Sequence, residues 1–565
     1  MQRTSTRADA DTGRTASLHS AAAPPRALLL AAALLAASAS PPPPPSALAA
    51  FAASLRGQLL TAANGSAFAA ASAEWNTRCA AEPLAVAFAA GEADVAASLA
   101  FARAWALPLA LRARRHQVEC WSVAAGGLVL DVSAGFGAVS VDAAARTAVV
   151  GAGVSMGGFL NATVAPFGLH APAGSCSTVG AAGFTSGGGI GWTSRLFGLS
   201  ADNVLSVRAV LANGTAADFS PADADPRARE LFWALAGGGG GNFAVVSSFT
   251  MRLWPLPPAL LYAEFAFPWA FAPNASALYV SLFGEPRFCF YLLLVSPTSA
   301  AARRVRGGGG AAPAERAGAA AASPLALLQG IWVGDLAEGR AVLARLTALA
   351  VAANASGAAS ARIVETDYLT ACRLFEGPLA TPTAGKQKSA FLPAPPSPPP
   401  GAAAVPPALS EEGLALIGAW LAAAPPDVAD NSALYANMMG GAVNERGPGD
   451  TPFPHRNALC NFVLDAHWVD SATTPAALAW AGGFFGALED GGFVPRPGTP
   501  GRGTYVNYAD ADLESWQQAY YGLPNYARLQ RVKSEVDGSG LFGRFPQGVE
   551  LPPPAPPRAA ALENL

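Results

Sequence analysis

Charged residues are scarce in this chain. Lys and Arg number 36 and Asp and Glu number 39 among 565 residues, which leaves a formal net charge of −3 at pH 7. No stretch gathers basic residues into a stripe, so the electrostatic footprint of a nucleic-acid-binding protein is missing. We therefore expect no nucleic-acid partner.

Metal-binding side chains are scarce as well. The sequence has five histidines and six cysteines, and the cysteines lack the close pairs that are typical of zinc sites. They are Cys79, Cys120, Cys176, Cys289, Cys372 and Cys460. We expect no metal. The cysteines are also too sparse for a disulfide scaffold, although an oxidising compartment would allow one or two bridges, whose pairing the sequence leaves open.

A long hydrophobic run is missing too. Alanine accounts for much of the hydrophobic content, and the concentrated apolar run at residues 27–37 is too short to span a bilayer. Because basic Arg26 precedes this run and small residues follow it, residues 1–45 read as a secretory signal and a proline-rich spacer. An organellar targeting peptide is the alternative, since the leader is long and contains Asp9 and Asp11. We expect no stable membrane insertion.

Five N-glycosylation sequons give modest support to secretion as a glycoprotein. They begin at Asn64, Asn161, Asn213, Asn274 and Asn354. A couple would occur by chance, and the sequence Asn213-Gly214 is equally typical of a hairpin turn.

The chain length indicates two domains with additional segments. Apolar periodicity predicts a helix at residues 93–105 and strands at residues 107–111, 128–132, 147–154 and 204–211. This alternation of helices and strands continues to about residue 257.

A second region, residues 258–492, begins with an aromatic strand at residues 261–267. Two low-complexity segments interrupt it, at residues 303–322 and 393–407, and we interpret both as surface loops. Residues 548–565 are rich in proline and alanine and are predicted to be a disordered tail.

The most informative stretch is CSTVGAAGFTSGGGIGWTSRLFGLSADN, residues 176–203. It contains a glycine cluster at Gly187, Gly188, Gly189 and Gly191. Because glycine loses the most conformational entropy on folding, such a cluster in an ordered domain indicates close approach of the backbone to another group. A phosphate or flat cofactor held by main-chain N–H groups is the natural interpretation. The spacing does not match the Rossmann fingerprint, so we predict a cofactor loop of another kind.

Four ordered motifs resemble one flavoprotein family. They are RARRHQVECWS from residue 112, PAGSCSTVG running into the glycine cluster, ELFWALAGGGGGNFAVVSSFTMRLWP from residue 230, and YVNYADADL with YYGLPNYARLQRVKSEVD from residue 505. GGAVNERGPGDTPFPHR is a weaker fifth. Together they resemble the FAD-linked oxidases of the berberine bridge enzyme type, within the vanillyl-alcohol oxidase/p-cresol methylhydroxylase (PCMH) family.

The resemblance implies an α+β fold in three segments. Residues 82–257 and 493–547 would form a two-part FAD-binding domain of the PCMH type. Residues 258–492 would form an inserted α+β substrate domain.

The resemblance also implies FAD held by two covalent bonds. It places His116 at the residue bonded to the 8α methyl of the flavin and Cys176 at the residue bonded to C6. From the residues alone, a structural histidine and a small buried cysteine are the alternatives. The family usually has two glycines where this chain has Arg114 and Arg115, so a positive φ there would strain an arginine.

Further cofactor contacts follow from the same motifs. They are predicted at Arg112, Ala113, Arg114, Arg115, Gly174, Val179, Gly180, Gly183, Gly187, Gly188, Gly189, Gly191, Asn242, Val246, Asn507 and Tyr508. For the glycine run that precedes Asn242, a turn without a ligand is a strong alternative.

Tyr508 matches the tyrosine that acts as base in many relatives. A phenol with a pKa near 10 is a poor base, so Tyr508 must be ionised by a nearby cation or act in concert with hydride transfer. An aromatic core residue in a strand is the alternative.

The activity implied is oxidation of CH–OH or related C–H groups in a carbohydrate or natural product by a monomeric enzyme. Tyr508 would take a proton as a hydride passes to flavin N5, and oxygen would regenerate the flavin and yield H2O2. Val179 favours oxygen as acceptor, because leucine in that position fills the space beside the flavin. A dehydrogenase that uses a quinone or protein acceptor is one alternative. An inactive flavin-binding protein is another, suggested by Arg114, Arg115 and by Phe184 in place of a histidine.

Overall fold

A computed structural model describes residues 41–307, 323–354, 359–376, 381–394, 405–499 and 501–553. The apolar run of the predicted signal lies outside these residues. So do most of the two low-complexity segments and the end of the predicted tail.

Short strands and helices alternate along the chain. The strands are β1 (Gln58–Thr61), β2 (Ala85–Phe88), β3 (Leu109–Arg112), β4 (Leu128–Asp131), β5 (Val139–Asp142), β6 (Thr147–Gly151), β7 (Leu169–His170), β8 (Val204–Val210), β9 (Ala216–Phe219), β10 (Val245–Arg252), β11 (Trp254–Pro255), β12 (Leu260–Pro268), β13 (Phe288–Val295), β14 (Leu325–Trp332), β15 (Ser360–Thr366), β16 (Ala384–Pro393), β17 (Ala433–Met438) and β18 (Ala458–Trp468). The helices are α1 (Pro45–Ser54), α2 (Ser66–Ser72), α3 (Glu92–Ala104), α4 (Met156–Phe167), α5 (Ala181–Ser186), α6 (Ser194–Phe197), α7 (Pro226–Leu235), α8 (Ala272–Ser281), α9 (Ala300–Gly307), α10 (Leu336–Ala353), α11 (Tyr368–Glu376), α12 (Glu411–Ala422), α13 (Pro426–Asn431), α14 (Thr474–Asp490) and α15 (Trp516–Val536).

The first sheet has the strand order β1-β2-β4-β3. Strands β2, β3 and β4 are parallel, and β1 pairs antiparallel with β2. Helix α3 connects β2 to β3 and has Glu92 and Asp94 in its first turn, where acidic side chains face the positive end of the helix dipole. The predicted helix at residues 93–105 and the two strands that follow it are confirmed. The sheet begins at β1, upstream of the boundary that we expected at residue 82.

The second sheet has the order β5-β6-β10-β8-β9 and is antiparallel. Strands β8 and β9 form a hairpin, in which the N–H of Leu211 donates to the carbonyl of Thr215 at 2.9 Å. Gly214 in the turn has φ +87°, a conformation that glycine adopts without strain. The predicted hairpin turn at Asn213-Gly214 is therefore confirmed.

The largest sheet, which we call the substrate-domain sheet, has the order β15-β12-β14-β13-β17-β18-β16. Side chains along a strand point alternately to opposite faces. On β12, Leu261 and Phe265 pack in a core with residues of α8, α10, α12 and α14, whereas Tyr262 packs with Phe249 of β10 in a second core. The sheet is therefore buried on both faces, and the second face turns toward the N-terminal part of the protein.

The C-terminal segment returns to the N-terminal part. Helix α15, whose turn at Gly522 is non-helical, packs against α7. Arg528 and Glu230 pair through two hydrogen bonds of 2.7 Å. The buried Val549 donates its N–H to Asn242 Oδ1 at 2.9 Å. The prediction that disorder begins at residue 548 is therefore wrong for the first residues of the tail.

Candidate active site

A cavity of about 390 Å³ lies where the His116 loop, the segment after Gly174, the glycine run 239–241, the substrate-domain sheet and residues 505–509 meet. Many predicted cofactor residues line it: Arg112, Ala113, Arg114, Arg115, His116, Gly174, Cys176, Val179, Gly180, Gly183, Asn242, Val246, Asn507 and Tyr508. The fold thus brings together residues that are up to several hundred positions apart in the sequence.

The two predicted flavin anchors meet at Thr178. Its Oγ1 lies 3.0 Å from His116 Nε2 and 3.3 Å from Cys176 Sγ. On another side the His116 ring stacks on Trp75, with the ring centroids 5.2 Å apart. Burial lowers the pKa of His116 to about 4. The imidazole is therefore neutral at pH 7 and keeps a nitrogen lone pair, as a nucleophile requires.

A disulfide closes the loop that carries His116. It joins Cys79 to Cys120. Within the loop, Arg115 has φ +65°, so the strain expected at the two arginines falls on this residue. The Arg115 guanidinium donates to the carbonyl of Ala70 at 2.9 Å, which ties it to the end of α2.

The Arg112 and Arg114 side chains are occupied by protein groups. The buried guanidinium of Arg112 pairs with Glu74 at 2.9 Å and with Asp131 at 2.8 Å. The Nε of Arg114 donates to the carbonyl of Gly153 at 2.7 Å. Charged contact to a cofactor from Arg112 is therefore not supported by the geometry, although the residue lines the cavity.

The glycine cluster lies behind the cavity wall, so the lining of the cavity gives no support to its predicted cofactor contacts, which stay a prediction. Gly188 and Gly189 have φ of +109° and +78°. A Cβ at Gly187 would lie 2.0 Å from Asn507 Oδ1, and a Cβ at Gly191 would lie 2.5 Å from the carbonyl oxygen of Ala173. Close packing against protein groups explains these four glycines, and none of the four is among the residues that line the cavity.

Asn507 is fixed by a buried network. Its Nδ2 donates to the carbonyl of Phe184 and to the hydroxyl of Tyr505, both at 2.9 Å. The Tyr505 hydroxyl also accepts from the N–H groups of Gly189 and Ile190 at 3.0 and 3.1 Å. The glycine cluster thus leaves room for Asn507 and supplies donors that hold Tyr505.

Tyr508 faces the cavity beside two other tyrosines. Its ring packs edge-on against Tyr505 at 5.0 Å, and its hydroxyl bonds with Tyr435. Burial raises the pKa of Tyr508 well above 10 and the Asp465 carboxylate acts in the same direction, while the bond from Tyr435 opposes them. Tyr508 is therefore a neutral phenol at physiological pH.

A polar pair that the sequence did not reveal, Asp465 and His467, also lines the cavity. His467 Nε2 lies 2.8 Å from Asp465 Oδ1, and Gln387 Nε2 donates to the same oxygen at 2.9 Å. Burial alone would lower the pKa of His467 and raise that of Asp465, but their attraction reverses both shifts. The available signal was the spacing of Asp465 and His467, two positions apart in a mostly apolar strand, because such residues share one face.

A buried ion cluster joins the segments that build the cavity. Lys386 Nζ lies 2.6 Å from Glu119 Oε1 and 2.8 Å from Asp510 Oδ1. Lys388 pairs with Asp510 at 3.0 Å, and Arg78 pairs with Glu119 at 2.8 Å. The cluster links the His116 loop, strand β16 and the segment that follows Tyr508.

The cavity walls fit a large, flat, polar ligand such as FAD. A Cβ at Gly183 would meet no atom within 4 Å, so its backbone borders open space. Gly239 and Gly241, which also line the cavity, have φ of +86° and +80°, and Asn242 holds this run by donating to the carbonyl of Gly239 at 3.2 Å. Gln387 Oε1 is buried and has no hydrogen-bond partner in the described structure. The cavity wall therefore has backbone open to a ligand at Gly183 and, at Gln387 Oε1, an acceptor that a ligand donor could use.

Two family models match the chain. The FAD binding domain model matches residues 83–220, and the berberine and berberine-like model matches residues 504–550. The uncharacterized FAD-linked oxidoreductase YgaK of Bacillus subtilis is 26% identical over 82% of this chain and 90% of its own length. Berberine bridge enzyme-like 2 of Arabidopsis thaliana is 27% identical over 86% of this chain and 87% of its own length. The chain therefore carries the FAD binding domain and the berberine-like segment that these models describe, and over most of its length it is similar to FAD-linked oxidoreductases of the berberine bridge enzyme type.

Solved structures of this family share the fold. BBE-like 1 of Physcomitrella patens has a TM-score of 0.72 at 23% identity and covers 89% of this chain and 99% of its own. The xylooligosaccharide oxidase of Myceliophthora thermophila C1, solved with xylobiose, has a TM-score of 0.70 at 21% identity and covers 90% and 99%. The predicted family, FAD as cofactor and the α+β fold of the PCMH type are confirmed for this berberine bridge enzyme-like oxidoreductase.

The described residues include no helix that is both long and apolar enough to cross a bilayer. They also contain no group of three or more His, Cys, Asp or Glu residues arranged to hold a metal ion.

Proposed function

We propose that this FAD-linked oxidoreductase oxidises a CH–OH or related C–H group of a carbohydrate or natural product and passes the electrons to oxygen, with release of H2O2. One observation carries the proposal: His116, Cys176 and Tyr508 line one cavity. The xylooligosaccharide oxidase, whose fold this chain shares, supports a carbohydrate. When bound, FAD supplies the hydride acceptor, and the protein supplies binding, orientation and proton transfer.

His116 and Cys176 are the proposed covalent anchors of the flavin. The neutral imidazole of His116 supports this role, as does the place of Cys176 on the same wall of the cavity. The proposed backbone contacts come from Gly180, Gly183 and the run before Asn242. Two anchors would fix the ring while the rest of the cavity stays open to a bulky substrate.

Tyr508 is the proposed base. Burial keeps most of this hydroxyl protonated, so the form that takes the substrate proton is the phenolate, which Tyr508 reaches only after its own proton has left to solvent. The hydroxyl of Tyr435 is placed to donate to Tyr508 as charge develops there.

We further propose that the protein is a monomer that matures in an oxidising compartment, as a secreted glycoprotein. The Cys79–Cys120 disulfide supports this location. So does the exposure of all five sequon asparagines, Asn64, Asn161, Asn213, Asn274 and Asn354.

Two measurements test the function. Intact mass of the purified protein should exceed the polypeptide mass by one FAD, and the colour should stay with the acid-precipitated pellet. Peroxide release on a panel of oligosaccharides and secondary alcohols should identify the substrate. Colourless protein would favour the inactive alternative, whereas turnover only with a quinone or protein acceptor would favour the dehydrogenase.

A further inference from the structure

We propose that Thr178 is a positioning residue whose hydroxyl holds both flavin anchors at once, so that both tethers form completely. The inference rests on the proposed attachment through His116 and Cys176. It adds a residue between them with a defined task.

The hydroxyl is held at a fixed point. Ser177 donates its N–H to Glu376 Oε1 at 2.7 Å and accepts from the N–H of Gly157 at 2.8 Å. On the other side of Thr178, the carbonyl of Val179 accepts from the N–H of Met156 at 2.8 Å. The start of α4 and the end of α11 therefore fix the backbone on both sides of Thr178.

The chemistry of the three groups is complementary. A hydroxyl has one donor and two acceptor sites, and a neutral imidazole has one N–H and one lone pair. The Thr178 hydroxyl can therefore serve His116 Nε2 and Cys176 Sγ in either direction, at the observed 3.0 and 3.3 Å.

The imidazole is restrained on two sides. Trp75 stacks on the His116 ring, and Thr178 engages its Nε2. Without the hydroxyl, His116 loses the hydrogen bond at its Nε2 and Cys176 loses one hydrogen-bond partner of its sulfur. Small misplacement of reacting groups costs large factors in rate, so incomplete tethering is the expected result.

Thr178→Val tests this inference because valine keeps the shape of threonine and removes the hydroxyl, while Thr178→Ser keeps the hydroxyl. Thr178 is exposed, so both variants should fold, which the melting temperature checks. After denaturation and digestion, mass spectrometry of the peptides that contain His116 and Cys176 shows which of them carry flavin and so reports the two tethers separately. We expect the ratio of doubly to singly tethered protein to fall about tenfold in Thr178→Val and to stay near wild type in Thr178→Ser.

Thr185→Val is the matched control, because the Thr185 hydroxyl bonds with Ser200 at 2.9 Å instead of an anchor. It should keep both tethers. If the wild type is doubly tethered and Thr178→Val is doubly tethered to the same extent, the proposed role of Thr178 is wrong, while the proposed attachment through His116 and Cys176 stands. A wild type whose Cys176 peptide carries no flavin would overturn the attachment itself, and with it this inference.

Discussion

The Tyr508 hydroxyl is buried where its ionisation is unfavourable, and it accepts a hydrogen bond from Tyr435. Burial and the Asp465 carboxylate disfavour a phenolate, and the hydrogen bond from Tyr435 favours one. The balance keeps Tyr508 mostly protonated, and the hydrogen bond from Tyr435 stabilises the phenolate that takes the substrate proton.

Tyr508→Phe should therefore retain the flavin and slow its reduction by substrate roughly 10²- to 10⁴-fold, the usual span for a lost acid–base group. Anaerobic stopped-flow absorbance measures this rate. Tyr526→Phe is the control, since Tyr526 on α15 does not line the cavity. An unchanged rate in Tyr508→Phe would make Tyr508 a packing residue.

Val179 is the residue at which we propose that the electron acceptor is decided. It is half-buried and lines the cavity three positions after Cys176. Because packed interiors do not yield easily to an added methylene, Val179→Leu should block oxygen from the reduced flavin.

We expect fast reoxidation of the reduced wild type in air-saturated buffer, and a strong slowing in Val179→Leu with reduction by substrate unchanged. Val149→Leu, on an exposed strand position, is the control. Sluggish reoxidation of the wild type would point to the dehydrogenase instead.

Among the structural elements, β16 joins the cavity segments through the buried lysines. Lys386→Met would leave Glu119 and Asp510 partly uncompensated in the interior. Breaking a buried pair by removing one partner typically costs about 3–5 kcal/mol in the free energy of unfolding.

Arg340→Met is the matched comparison, because Arg340 pairs with Glu365 at 2.9 Å where both side chains are about half exposed. We expect a loss of about 0–1 kcal/mol there. Urea unfolding measures both, and equal effects would show that the ion cluster has no special part in joining the segments.

Strand β18 carries a pair whose contribution depends on pH. The pKa of His467 is raised above 6.5, so its contribution to stability is present below that pH and is lost as pH rises through the folded pKa. The pKa of Asp465 is lowered below 3.8, so its contribution is present above that pH and is lost as pH falls further. Melting temperatures should therefore show the largest penalty for Asp465→Asn between about pH 4 and 6.5. A penalty independent of pH would contradict the ion pair.

At the scale of the whole molecule, local signals were predictable and distant contacts were not. The helix at residues 93–105 and the turn at Asn213-Gly214 follow from periodicity and backbone preference, which act between near neighbours. The glycine cluster was assigned to a cofactor because nothing in its sequence shows that Asn507 fills the space beside Gly187. Gln387 donates a hydrogen bond to Asp465 only because β16 and β18 are paired. The sequence of one strand does not show which other strand it pairs with.

The proposed anchors, His116 and Cys176, could be named from the sequence because they lie in motifs of neighbouring residues. Thr178 is part of the same motif as Cys176, yet its contact with His116 depends on how two loops pack. The sequence therefore led to the proposed anchors, and the structure added the group between them.

The disulfide at Cys79–Cys120 also connects cofactor attachment with the compartment in which the chain folds. Closing a ring of this length typically adds about 2–4 kcal/mol of stability, chiefly by restricting the unfolded chain. His116 lies inside that ring, so the disulfide restricts the loop that carries the imidazole. A chain that folds where thiols stay reduced would load its flavin onto a looser loop. The fraction of protein with fully attached flavin would then depend on the redox conditions under which the chain folded.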